Sequence, residues 1–185
     1  MDAQRRTWLR GAAGLVLAWL TPIRAAGQEA PEAPPVPGDL LVRDGDTSLI
    51  PLTPDDVPFD GRGVMVWALA PTGDVLKDGS PINRILLARL NPSSLSAATS
   101  ARAVDDIVAY SAICTHSGCE VDESLGESQT LFCGCHGSIF DPRDSGLVIG
   151  GPAPRNLPAL PLRLVTGRLV GGGAFTALPG FGPML

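Results

Sequence analysis

The chain has 185 residues, 44% of them hydrophobic, 18% charged and 5% aromatic, with 22 Gly and 18 Pro. That suits one globular domain of moderate size, and it excludes a disordered chain and a fold of long helices, because so many turn formers keep the elements short. The net charge of -5 becomes -8 without residues 1–27, whose removal takes away four arginines and Asp2 and leaves 10 basic against 18 acidic residues; such a surface repels nucleic acid and suits protein partners chosen by charge.

In chain order, residues 1–27 come first. Paired Arg5 and Arg6 precede Trp8 and Leu9 and lead into the apolar run Gly11 to Leu20, with Arg24 beyond it. This resembles a twin-arginine export signal, and the run is shorter than the roughly 20 residues a spanning helix needs. A cleaved signal and a periplasmic product are expected; the alternative is a retained segment that attaches the protein to the inner membrane. Residues 28–38 are proline-rich and read as an extended linker with little to bury. The folded domain is expected over 39–175 and a tail lying on the surface or against a partner over 176–185.

Within that domain, apolar runs predict strands at Leu40 to Arg43, Val64 to Ala70, Ile82 to Leu90, Asp106 to Ile113, Thr130 to Cys133 and Leu147 to Ile149. A last pair, Leu160 to Val165 and Arg168 to Gly172, is separated by Thr166-Gly167. Ile82 to Leu90 also fits a short helix. Pro71-Thr72-Gly73 and Lys77-Asp78-Gly79 read as turns, and Asn91 to Asp105, small and polar, as a surface loop. The fold class is all-β. No phosphate-binding loop is present, since Val170 to Ala174 lacks the spacing and the Lys-Ser/Thr that would follow. No internal repeat is evident.

Every cysteine and histidine falls between Ile113 and Pro142: Cys114-x-His116-x-x-Cys119, then Cys133-x-Cys135-His136. Two disulfides would suit an exported protein but give the histidines no task. A structural zinc with two Cys and two His leaves two cysteines over. A two-iron, two-sulfur cluster uses two thiolates on one iron and two imidazoles on the other, the imidazole-bound iron being the easier to reduce. Each short loop offers both donor types, so two facing loops make a four-ligand cage.

Cys-Thr-His-x-Gly-Cys at 114–119 and Cys-x-Cys-His-Gly-Ser at 133–138 resemble the two boxes of Rieske iron-sulfur proteins, of the cytochrome bc and arsenite oxidase small-subunit type. The resemblance covers about 105–162. It implies an antiparallel β sandwich with a small cluster-binding subdomain, ligands Cys114, His116, Cys133 and His136, and a disulfide between Cys119 and Cys135. Gly151-Pro152-Ala153-Pro154, followed by Asn156-Leu157-Pro158, resembles the proline loop that covers the cluster. Ser138 matches the family serine whose hydroxyl bonds a bridging sulfide. Phe140 stands where high-potential bc-type proteins have a tyrosine, which implies an intermediate potential unless the only tyrosine, Tyr110, reaches the site; the potential is expected to fall as pH rises, because the histidines' outer nitrogens lose protons more readily when the cluster is oxidised.

With both histidines used as ligands, no imidazole remains for general base work, and the carboxylates Asp105, Asp106 and those from Glu120 to Glu127 read as solvated surface. The chain is expected to carry single electrons for a larger redox subunit or a cytochrome and to convert no substrate itself. Asp105 to His116, Phe140 and the export signal favour a molybdenum oxidoreductase resembling arsenite oxidase. A quinol-oxidising bc complex is the alternative, against which stands Ser117 in place of a leucine. A stand-alone periplasmic carrier is the third reading. The ferredoxin component of a ring-hydroxylating oxygenase shares the ligands and lacks the extra cysteine pair.

Overall fold

The computed structural model describes residues 30–59 and 61–182, so the twin-arginine reading of residues 1–27 lies outside the described residues. Among the described residues nine strands follow one another: β1 Leu40–Arg43, β2 Val64–Leu69, β3 Ile85–Arg89, β4 Ile107–Ser111, β5 Leu131–Cys133, β6 Ser138–Asp141, β7 Leu147–Gly150, β8 Leu162–Val165 and β9 Arg168–Gly171. They form a six-stranded antiparallel sheet, ordered β4-β3-β2-β1-β9-β8, and a three-stranded sheet, β5-β6-β7. The fold is all-β, a larger sheet carrying a small subdomain.

The larger sheet leaves little of its ends open. The stretch before β8 pairs with β4: Ser111 N donates to Pro158 O at 2.8 Å and Leu160 N to Ala109 O at 2.9 Å. Joining the ends in this way removes an edge to which another chain could pair. Strands β2 to β4 are apolar almost continuously because both their faces are covered. Leu41, Val66, Ile85, Leu87, Leu160 and Leu169 belong to one core. Leu86, Ala88 and Tyr110, on the opposite face, join Leu131, Phe140 and Leu157 in a second core that seats the small sheet.

Four expectations need correction. Ile82 to Leu90 is a 3-10 turn, Pro81–Asn83, followed by β3. Asn91 to Asp105 is no simple surface loop: it holds a 3-10 turn, Pro92–Ser94, and a helical turn, Ala97–Ser100, whose Thr99 is buried and accepts from Ser145 N at 2.8 Å. Lys77 is not a turn residue. It is 1% exposed and pairs at 2.7 Å with Asp39, itself 0% exposed, an arrangement that is tolerated in a low-dielectric interior only because each charge has its partner. Finally, residues 30–38 do not trail as a free linker. Pro35 is buried, Asn83 Nδ2 donates to the carbonyls of Glu32 and Ala33, and Gly38 N donates to Gly171 O.

Candidate metal centre

Two loops make the site. The first leaves β4 at Cys114 and closes on itself, Gly118 N donating to Cys114 O at 3.1 Å and Cys114 N to Cys119 O at 2.7 Å. The second joins β5 to β6 as a hairpin tip, with Gly137 N donating to Cys133 O at 3.0 Å. Cys133 and Ser138 face each other across that hairpin, so the strand alternation turns both side chains inward.

Cys114 and Cys133 are buried free thiols. Burial pushes the Cys133 thiol up from its ordinary range, and the neighbouring Cys114 thiol adds to this; two such sulfurs gain from a bound cation that takes their protons' place. Cys119 and Cys135 are joined as a disulfide that ties the two loops. The Cys133 sulfur lies within 4.8 Å of both disulfide sulfurs, but a sulfur in a disulfide has no thiolate to offer, which leaves Cys114 and Cys133 as the thiol donors. Cys114 and Cys133 are not joined to each other, as a second disulfide would require.

His116 and His136 meet edge to face, with ring centroids 4.7 Å apart and planes at 81°. His116 is half-buried and His136 exposed. The Ser117 hydroxyl lies 3.4 Å from His136 Nδ1, at the same edge. His116 Nδ1 and Ser138 Oγ are buried and have no hydrogen-bond partner among the described residues. Such groups are costly unless something else satisfies them. Two free thiols, two rings and an orphaned hydroxyl thus fit a cluster with thiolate and imidazole ligands.

The loop Gly151–Pro154 lies over the second tip. Gly151 has φ +79°, and a Cβ there would fall on Gly137 O and 2.5 Å from Ser138 Cα, so only glycine permits this approach. Pro152 and Pro154 are exposed, and Ala153 packs on the second core. Phe140 is fully buried, and the Tyr110 hydroxyl donates to Pro142 O at 2.7 Å; its hydroxyl is spent on the turn after β6.

Sequence reasoning missed two tethers here. The Thr115 hydroxyl donates to Arg155 O at 2.6 Å, fastening the first loop to the covering loop. Arg84 bridges Asp44 and Glu120, at 2.5 Å from the latter, and so links the larger sheet to the exit of the first loop. Thr115 sits inside the first box, where its polarity among buried neighbours was the available signal; nothing local marks Arg84. A cleft of about 710 Å³ opens beside Arg84 and Cys135, on the disulfide side of the site. Of its charged walls, Arg84 pairs with Asp44 and Glu120. No helix among the described residues is long and apolar enough to cross a membrane.

Residues 92–161 match the Rieske [2Fe-2S] domain family. A protein of Haloferax mediterranei named as a respiratory nitrate reductase Rieske subunit is 45% identical over 75 residues, which is 40% of this chain and 33% of that one. The cytochrome bc1 complex Rieske iron-sulfur subunit of Streptomyces lividans is 40% identical over 118 residues, 60% of this chain and 66% of that one. The chain thus spans a third of the first relative's length and 66% of the second's. Among solved structures, the soluble domain of the Rieske protein II of Sulfolobus acidocaldarius is similar at 26% identity over 51% of this chain and 65% of that one, with a TM-score of 0.39.

Proposed function

We propose, from the premise that this chain carries a Rieske [2Fe-2S] domain and is an electron-transfer protein, that it is the exported small subunit or redox partner of a larger periplasmic oxidoreductase resembling arsenite oxidase. The bound cluster supplies one-electron redox chemistry at a potential within the family's span of about -150 to +300 mV.

In this reading Cys114 and Cys133 hold the buried side of the cluster and His116 and His136 the outer side. The observation that carries it is the burial gradient across these four residues, from the buried thiols to the exposed His136. With the cluster bound, electrons would enter and leave through the edge formed by half-buried His116 and exposed His136, where a partner could approach closely. The Cys119–Cys135 bond keeps the loops in register, and the loop at Gly151–Pro154 with the Thr115 tether excludes water, so that little solvent reorganises on each transfer. The buried Ser138 hydroxyl, without a partner among the described residues, would be free to donate to a bound cluster, and such a bond would raise its potential. Phe140 offers no donor, and Tyr110 spends its own on Pro142, which supports an intermediate value. No imidazole is left for base catalysis, so the chain converts no substrate of its own.

A second reading, the Rieske subunit of a quinol-oxidising bc complex, is favoured by the Streptomyces lividans relative. Against it, polar Ser117 stands beside His136, where an apolar residue would border a quinone pocket.

The test is an electron paramagnetic resonance titration of the reduced protein at several pH values, with identification of the chains that purify with it. An intermediate potential and a large oxidoreductase subunit support the first reading. A potential at the top of the family range with a cytochrome b partner replaces it by the second. Zinc without a resonance signal removes both.

A further inference from the structure

The covering loop is held from two sides, and Arg155 is the residue common to both. On one side its carbonyl accepts from the Thr115 hydroxyl of the first ligand loop at 2.6 Å. On the other its guanidinium Nη2 donates to Gly180 O at 2.6 Å. Gly180 belongs to the C-terminal segment, which the sequence marks only as a tail.

That segment is fastened to the domain at two points, Thr176 and Gly180, with Leu178 and Phe181 exposed between and beyond them. Thr176 N donates to Ala159 O at 2.9 Å, and Ala159 N donates to Thr176 Oγ1 at 3.0 Å, so the segment starts beside the stretch that closes the larger sheet. Four residues on, Gly180 adopts φ +70°. A Cβ there would stand 3.3 and 3.4 Å from the side chains of Ile113 and Ile82, and Ile113 directly precedes Cys114. The chain therefore crosses from the sheet to the root of the first ligand loop and there meets the Arg155 fork. A guanidinium suits this role because its planar donors are pre-organised, so little freedom is lost per bond formed.

We propose that residues 176–182 are a strap that sets the position of the covering loop, and that Arg155 is the positioning residue through which it acts on the cluster. This rests on the electron-transfer reading above. The loop has few contacts of its own: Pro152 and Pro154 are exposed, and the close approach of Gly151 to Gly137 fixes only its first residue. Without the Arg155 guanidinium bond, the part from Ala153 to Asn156 keeps the Thr115 hydroxyl, the bond from Val148 N to Asn156 Oδ1 at 3.2 Å and the packing of Ala153. A loop so held opens more often, because local opening follows the local bonds and not the stability of the whole domain.

Arg155→Ala, Arg155→Lys and a chain ending at Ala177, which keeps both Thr176 bonds, test this in the full protein. The readouts are amide exchange of residues 151–157, the midpoint potential and the rate of iron loss to a chelator. Arg155→Ala and the shortened chain should exchange these amides about tenfold faster, as expected for one lost bond to a charged donor. Both should shift the potential and lose iron faster, with thermal melting of the larger sheet unchanged. Arg155→Lys, which keeps one donor, should restore part of each. Exchange and potential identical to the parent in both Arg155→Ala and the shortened chain overturn the strap. Should Arg155→Ala fail to fold, the shortened chain decides alone. A parent protein without a Rieske signal sinks the electron-transfer reading instead, while the exchange comparison still decides the strap.

Discussion

Ser138 has opposite consequences in the cluster-free and the loaded protein. Its hydroxyl is fully buried with no partner among the described residues, which costs about 1–3 kcal/mol when nothing accepts its proton. Ser138→Ala should leave the cluster-free chain as stable as before or more so, read from a denaturant melt. In the loaded protein it removes a donor that favours the reduced state. A bond worth about 1.4 kcal/mol corresponds to about 60 mV for one electron, so the midpoint potential should fall by about that amount; an unchanged potential would mean that the hydroxyl points elsewhere. Gly151 is the neighbouring case. Its φ of +79° and its approach to Gly137 O and Ser138 Cα combine two penalties, left-handed strain of about 1–2 kcal/mol and overpacking of about 1–3 kcal/mol. Gly137 also has positive φ but open space around it. Gly151→Ala should therefore lower stability by about 2–5 kcal/mol, and Gly137→Ala, which carries the strain alone, by only about 1–2 kcal/mol. Equal losses in the two variants would show that the covering loop moves aside freely.

Among the elements, β4 and the turn after β6 are joined by one hydroxyl. Tyr110 is buried on β4 and donates to Pro142 O, and burial pushes its phenol up to about 12 from 10.0. A folded value above the unfolded one means stability that is complete below pH 10 and lost as pH rises toward 12, by about 3 kcal/mol in all. The urea midpoint should fall steeply across that window. Tyr110→Phe should cost about 1 kcal/mol at neutral pH and flatten the alkaline fall; a fall of the same steepness in the variant would assign it to other groups. This tether also shows where sequence reading stops. Strands β1, β2 and β4 were legible from their aliphatic runs, β3 only as one of two readings because a run that brief also fits a helix, and the hairpin β8 to β9 from its Thr166-Gly167 turn, where both residues take positive φ. Strand β6 was missed because Ser138–Asp141 carries only two apolar residues and lies directly behind the His136-Gly137 turn. Lys77 misled because a lysine reads as surface until Asp39, 38 residues away, is brought beside it. The Cys and His boxes were legible because each loop is local in sequence. The Thr115 and Arg155 tethers were not, since both end on backbone carbonyls, which no sequence pattern marks.

On the scale of the whole molecule, two cores share one sheet. The Leu41, Val66 and Leu169 core lies on one face of β1 to β4, while the Tyr110, Leu131 and Phe140 core seats the small sheet on the other. Strands β2 to β4 contribute to both, whereas the ligand loops touch only the second. The Cys119–Cys135 bond lies wholly within the small subdomain and spans 16 residues. Closing a loop of that length is worth about 3 kcal/mol on a chain-entropy estimate, and the loss falls on the unit that the bond constrains. Replacing both residues, Cys119→Ser with Cys135→Ser, should accelerate amide exchange in residues 114–137 by about two orders of magnitude, the equivalent of that energy. Amides of β2 to β4, held by the other core as well, should keep their protection. Exchange that rises equally in both regions would mean that the two cores open as one cooperative unit. The small subdomain would then be no separate module, and the ligand loops would be only as labile as the sheet beneath them.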